Sequence, residues 1–284
     1  MRSVLSRQLA QHTAFGLLVT ATIIVVIPVL FILFQIVING AGAISWEFLT
    51  QAPSEAGKAG GILPAIIGTF YLMLGTLLFS LPIGVLAGIY LTEYARDSHL
   101  TRLINMAILN LAGVPSIVYG LFGLGVFVMG LHFGMSLLAA SLTLACQALA
   151  MTITTSREAI LSVPREYREG SLAIGATRWQ TIRHIVLPQA LPGIITGAVL
   201  AISRAAGETA PILVVGAAFL LPAIPGSPFD QFMALPYHLY TVAAHVPGMP
   251  KSTIWGVALV LLIVVLSFNV IATIIRLRVR TRSV

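Results

Sequence analysis

Apolar stretches long enough to cross a bilayer recur along this chain, at about 14–38, 62–91, 104–130, 134–155, 189–216 and 253–275. A crossing needs about 20 predominantly apolar residues. A backbone in hydrocarbon must also satisfy its own hydrogen bonds, so each stretch is read as a helix. The expected fold class is an all-α integral membrane protein with six transmembrane helices and a single transmembrane domain, 14–284. Composition agrees, because 58% hydrophobic and 9% charged residues leave no material for a large water-soluble unit. Ala41 and Ala43 weakly resemble a signal-peptidase site, but the run before them exceeds the about 7–15 residues of a signal core, so it is read as a retained first span. One cysteine, Cys146, lies in an apolar run; it excludes an internal disulfide framework and reads as packing.

The basic residues give the orientation. With the N-terminal segment 1–13 inside, Arg2, Arg7, Arg96, Arg102, Arg157, Arg165, Arg168, Arg178, Arg183 and the arginines from Arg276 to Arg282 all fall on the inner side. Only Lys58 and Lys251 fall outside, and Arg204 lies within a span. This bias predicts cytoplasmic N- and C-termini, a cytoplasmic loop at 156–188, and outer-face loops at 39–61 and 217–252. The net charge of +7 follows from that topology, so no nucleic-acid partner is needed to explain it. The second outer loop is rich in proline, yet its middle, 229–244, carries Phe232, Leu235, Leu239 and Tyr240 and reads as a short helix in the interface or capping a pore.

Chemistry of the chain's own is not in view. Lys58 follows Gly57 but precedes Ala59, and Lys251 precedes Ser252 but follows Pro250, so neither completes a phosphate-binding loop. His12, His99, His132, His184, His238 and His245 are scattered without metal-ligand spacing, and no nucleophile motif of the Gly-x-Ser-x-Gly type occurs. The expectation is a non-enzyme with no metal and no cofactor of its own.

Two places break the apolar pattern. The first is a polar island from Pro164 to Pro188, PREYREGSLAIGATRWQTIRHIVLP. Ser162 and Pro164 supply a helix start, and Gly175 supplies a stop after Ile174. Thr177 followed by Gln180 has capping-box spacing for a second helix, expected to run to Pro188 and to enter the next span at an angle. Tyr167, Ser171 and Ile174 are placed on one face as an apolar edge for a partner's groove. The second place is ISRAAGETAPIL, where Arg204 and Glu208 lie four residues apart inside the fifth stretch. Each such charge costs about 2.5–3.5 kcal/mol to insert at a helix centre, so both should face a bundle interior or a watery path. Gly207 would admit a neighbouring helix, and Pro211 should kink or unwind the helix beyond the charges. Two readings stand: Arg204 as a forked donor set for an oxyanion, held by Glu208 when empty, or a permanent pair locking the bundle. Pro82 and Pro115 are hinges or static kinks. Thr143, Gln147, Thr152, Thr154, Thr155 and Ser156 make the fourth stretch polar, as pore lining or as inter-helix bonding.

The spacing Glu169-Gly170-Ser171, three residues, Gly175, nine residues, Ile185-Val186-Leu187-Pro188 resembles the EAA motif of type I ABC importer permeases. Gly170 and Ser171 stand where that motif usually has two alanines; both are small but weaker helix formers. RAAGETAP, VPSIVYGLFGL at 114–124, GILPAIIGTFYL at 61–72 and MALPYHLY at 233–240 look most like the A-type permease of phosphate-specific (Pst) importers. The resemblance implies a prokaryotic cytoplasmic (inner) membrane protein that pairs with a second, homologous permease, two cytoplasmic ATPase subunits that bind the ATP, and an extracytoplasmic phosphate-binding protein. It also implies ATPase coupling through Glu169, Gly170, Ser171, Gly175, Ile185, Leu187 and Pro188, and a substrate-pathway role for Arg204 and Glu208. Alternatives are the same machine carrying molybdate or sulfate, and a secondary transporter or channel, which would be expected to show an internal repeat or proton relay.

Overall fold

The structure, a computed structural model, describes residues 2–280. Arg282, which enters the charge count for orientation, lies outside the described residues. Helix α1 (Arg2–Ala41) is followed by a short helix α2 (Trp46–Thr50) capped by the Ser45 hydroxyl. Strands β1 (Pro53–Ser54) and β2 (Ala59–Gly60) then pair as a small hairpin that delivers the chain to α3 (Leu63–Ile89). A π-helical turn at Tyr90–Tyr94 extends α3. Next come α4 (His99–Leu111), α5 (Ser116–Gly123) with a π-helical continuation at Leu124–Gly130, and α6 (Leu137–Leu161). The polar island forms α7 (Arg165–Ala173) and α8 (Arg178–Thr181), and a π-helical turn at Ile182–Val186 leads into α9 (Leu187–Gly207). Short α10 (Ala210–Leu213), α11 (Leu235–Ala244) and the long α12 (Lys251–Arg280) complete the fold.

Among the described residues, five helices are long and apolar enough to cross a membrane, and six if the bent pair α4–α5 crosses as one. That pair corrects a straight third span at 104–130: the chain turns by 106° between Leu111 and Ser116. Pro115 is the physical reason. It has no N–H, its backbone is extended at ψ 139°, and it serves as the cap of α5 rather than a kink inside one helix. Pro82, by contrast, sits inside an unbroken α3.

The bundle is assembled around α6, and its polar side chains serve packing. Thr143, Thr152, Thr154 and Thr155 return their hydroxyls to carbonyls four residues back on their own helix. This leaves small, locally satisfied surfaces onto which glycines close: a Cβ at Gly75, Gly84 or Gly88 of α3 would meet Ser141, Thr152 or Ser156. At Gly123 of α5 it would overlap Thr143, and at Gly197 of α9 it would overlap Thr155. Lipid offers no hydrophobic drive between helices, so close approach of small residues supplies the dispersion that holds α3, α5 and α9 on α6. Inter-helix bonding, one of the two readings of this polar helix, does not hold for these four threonines, whose hydroxyls stay on their own helix and leave the side chains to packing. Helix α1 packs against α12 and otherwise presents Phe15, Leu18, Ile24 and Phe31 outward, a surface suited to hydrocarbon.

The 217–252 segment is built into the bundle. Phe232, Met233, Ala234 and Leu235 are fully buried, and the backbone N–H of Leu235 donates to the Thr69 hydroxyl at 2.8 Å. The first amides of α6 would otherwise be orphaned. They donate instead to carbonyls of this segment, Leu137 to Asp230 at 2.9 Å and Leu138 to Pro228 at 2.8 Å, while Ser136 caps Ala139. Helix α11 therefore closes one end of the bundle. On it, His238 is buried, and desolvation lowers its pKa to about 4.

Candidate functional site

Helix α9 stops at Gly207 because Glu208 leaves helical geometry, with φ −73° and ψ 128°, and Pro211 then starts α10. The expected unwinding beyond the charges is present. Arg204, in the last turn of α9, and Glu208, on the break, are brought together, with Nε donating to Oε1 at 3.4 Å. That bond is long and poorly matched to a forked pair. A shorter one competes for the same oxygen: Gln147 Nε2 on α6 donates to Glu208 Oε1 at 2.6 Å. The two partners differ in exposure, Arg204 at 59% of its side chain and Glu208 at 17%. The carboxylate is thus tied down to α6, and the guanidinium projects with its terminal nitrogens uncommitted to Glu208. Tyr119, Gln147, Arg204 and Glu208 line a cavity of about 30 Å³, room for a water or two. Gly207 does not receive a helix as its sequence context suggests; the space beside it is open within this chain.

At the other end of α9, the island folds as helix, glycine turn and helix. Gly175 takes φ +87°, a conformation that ordinary side chains rarely adopt. The capping box is complete, with the Thr177 hydroxyl accepting from Gln180 N–H and the Gln180 side chain accepting from Thr177 N–H. One expectation is corrected here: the second helix does not end at Pro188. The π-helical turn at Ile182–Val186 lets helix continue from Arg178 to Gly207, because a five-residue bonding pattern tolerates an extra residue where a proline interrupts the regular ladder.

The residues of the EAA-like spacing fall into two groups. Ser171 is buried, and its hydroxyl shares a 2.9 Å hydrogen bond with that of Thr181, bracing α7 to α8. An alanine could not make this bond, which gives the departure from the usual motif a local role. Leu187 packs on the cluster of Ile89, Ile160, Val163, Ile182 and Val186. Glu169, Gly170, Gly175 and Pro188 are exposed, and Ile185 is half-buried. Ser171 therefore does not share an outward face with Tyr167 and Ile174, since it points to the second helix. The outward apolar knobs are Ile174, 86% exposed, and Trp179, 51% exposed.

Three side chains stand outside the residues that sequence spacing singles out. In sequence Gln147 is one of several polar residues on its helix, and its tie to Glu208 spans 61 residues. Arg168 and Glu93 were not singled out, yet they form an ion pair at 3.0 Å with side chains only 18% and 16% exposed. A carboxylate at a span end rich in arginine is the one signal that pointed to Glu93.

The matrix of helices and the two sites can be set beside known proteins. Residues 80–281 match the family model described as binding-protein-dependent transport system inner membrane component. The chain is 34% identical to a phosphate transport system permease protein PstA 1 of Mycobacterium tuberculosis (strain CDC 1551 / Oshkosh), covering 96% of this chain and 90% of that one. It is 38% identical to PstA of Haemophilus influenzae (strain ATCC 51907 / DSM 11121 / KW20 / Rd), covering 70% of each. Its fold is similar to a chain of a bacterial alginate ABC transporter crystallised with its alginate pentasaccharide-bound periplasmic protein, with a TM-score of 0.68, 15% identity and 91% of each chain covered. The protein is a multi-pass membrane permease with the type I ABC importer fold, and it belongs to the family of binding-protein-dependent transport system inner membrane components.

Proposed function

We propose that this chain is the permease subunit of an ATP-driven importer of inorganic phosphate and forms half of its translocation pathway. The observation that carries the proposal is Arg204, a half-exposed guanidinium in the last turn of α9, between the apolar length of that helix and the apolar α10, whose nearest carboxylate is held by Gln147. A cation costs several kcal/mol there unless an anion repays it. A guanidinium presents a planar fork of N–H donors to a tetrahedral oxyanion, and the low dielectric strengthens the attraction. On this reading the exposed side of Arg204 faces a second, homologous permease, and the anion passes between the two. The relatives named as phosphate transport permeases support phosphate as the cargo.

The α7–α8 loop is the dock for a cytoplasmic ATPase, one of two that bind the ATP, so that this chain needs no nucleotide of its own. Glu169, Gly170 and Pro188 lie on the accessible surface of that loop, and Ile174 and Trp179 supply apolar knobs for a cleft on the partner. The positive-inside bias supports placing this loop and both termini in the cytoplasm. An extracytoplasmic phosphate-binding protein delivers the anion to the opposite end, where α11 closes the bundle. The experiment is affinity purification from the native membrane, followed by an uptake competition. Retention of a nucleotide-binding subunit, with uptake of labelled phosphate unaffected by excess sulfate or molybdate, is expected. Purification without such a subunit, or uptake abolished by either competitor, would overturn the assignment.

A further inference from the structure

One side chain makes polar ties from the loop to two helices of the bundle, beside the apolar cluster of Ile89, Ile160, Val163 and Ile182. Arg168 of α7 directs Nη2 to the carbonyl of Ile160 at 2.8 Å and Nη1 to the carbonyls of Val163 and Pro164. These are carbonyls at and beyond the end of α6. Its Nε and Nη2 also both donate to Glu93 Oε1, at 3.1 and 3.0 Å. Each of the five N–H groups of the guanidinium therefore has an acceptor. Glu93 belongs to the π-helical turn that prolongs α3, so one planar group joins α7, the end of α6 and the end of α3.

The surroundings show that this fastening is not buried filler. A cleft of about 330 Å³ lined by Thr92, Arg165 and Glu169 lies on one side of the pair, and one of about 180 Å³ lined by Leu172, Arg178 and Thr181 lies on the other. The chain between α6 and α7, Ser162–Pro164, is three residues long and is a natural pivot. The bond to Glu93 adds a directed polar tie between α7 and α3, whose Ile89 shares an apolar cluster with Val163 and Ile182. With the bond, α3 moves when α7 moves. Helices α3 and α6 are already locked by the glycine contacts along their length, and α6 holds Gln147 against Glu208 beside Arg204.

The geometry points to the Arg168–Glu93 pair as a latch: Arg168 is a positioning residue that turns displacement of the α7–α8 loop into rigid movement of α3 and α6, and so couples ATP-driven closure to the anion path. This inference rests on the proposed transport function. Arginine is required because a lysine ammonium has three donors at one point and cannot span these acceptors. Glu93→Ala removes the acceptor oxygen and leaves the Arg168 carbonyl bonds, whereas Glu93→Gln would keep an amide oxygen able to accept both N–H groups.

The test uses the complete importer, reconstituted in proteoliposomes with its ATPase, second permease and phosphate-binding protein, and reads phosphate accumulated per ATP hydrolysed. Glu93→Ala should leave the yield of assembled complex and the ATP hydrolysis in place and lower the ratio at least fivefold. Arg168→Lys should lower it severalfold, and it serves if Glu93→Ala fails to accumulate. An unchanged ratio in the variants that assemble would overturn the latch, and so would a fall confined to the yield of complex, as a merely structural role predicts. A wild-type importer that moves no phosphate would overturn the transport reading and the latch with it, which separates the two failures.

Discussion

Replacing Arg204 with glutamine removes one charge and little else. The Arg204–Glu208 contact is long, 3.4 Å, and its arginine is 59% exposed, so the pair contributes at most about 1 kcal/mol to stability. Glu208 keeps its 2.6 Å bond from Gln147 in the variant. Assembly and thermal stability should therefore be close to wild type. Transport is a different matter. A unit charge about 4 Å from the guanidinium gains about 4 kcal/mol at an effective dielectric of about 20. Discounting by half for the exposure of Arg204 leaves about 2 kcal/mol per unit of anion charge, or about 30-fold in rate. Initial uptake of labelled phosphate by proteoliposomes holding the complete importer should fall by at least that factor, with the amount of complex unchanged on a sizing column. Arg204→Lys keeps the charge but not the fork, and should retain an intermediate rate. Uptake within about threefold of wild type for Arg204→Gln would refute the reasoning and leave the bundle-locking reading of the pair.

Other expectations concern the loop and the closed end of the bundle. Gly170 has open space where a Cβ would go, so Gly170→Ala should stabilise α7 by about 0.5–1 kcal/mol with transport intact, read as a small rise in Tm. Gly175→Val meets no neighbour either, but φ +87° makes it strained by about 1–3 kcal/mol; substrate-stimulated ATP hydrolysis should drop, while Gly175→Asn retains more of it. His238 is held neutral, with its pKa lowered to about 4 by burial. The unfolded state takes up this proton first, so the stabilisation is complete above about pH 6.5 and is lost as pH falls toward 4, by about 3 kcal/mol. A His238→Gln variant should flatten that part of the Tm–pH curve, and an unchanged slope would contradict the assignment.

The helices were legible because hydrocarbon imposes one rule along the whole chain, and the local signals of the island were legible because capping boxes and glycine stops act within a few residues. Thr177 with Gln180, Gly175 and Pro211 each behave as their neighbours in sequence dictate. What could not be read depends on distant partners. Gln147 reaches Glu208 across 61 residues and Arg168 reaches Glu93 across 75, and apart from the arginine-rich span end around Glu93 nothing local to any of the four signals its partner. The bend at Pro115 was undersized for the same reason: a proline announces a break, but the packing of α5 against α6 and α10 sets its 106°. Pro188 misled in the opposite direction, since the π-helical turn before it absorbed the interruption.

The most direct measurement is accumulation of labelled phosphate in proteoliposomes containing this chain, the second permease, the ATPase and the phosphate-binding protein, with and without ATP. Accumulation against a gradient that requires ATP, and that disappears when Arg204→Gln replaces the wild-type chain in an equally assembled complex, is predicted. Phosphate entry that is independent of ATP, or that persists at the wild-type rate without Arg204, would contradict the claim that the docking loop drives an anion past this residue.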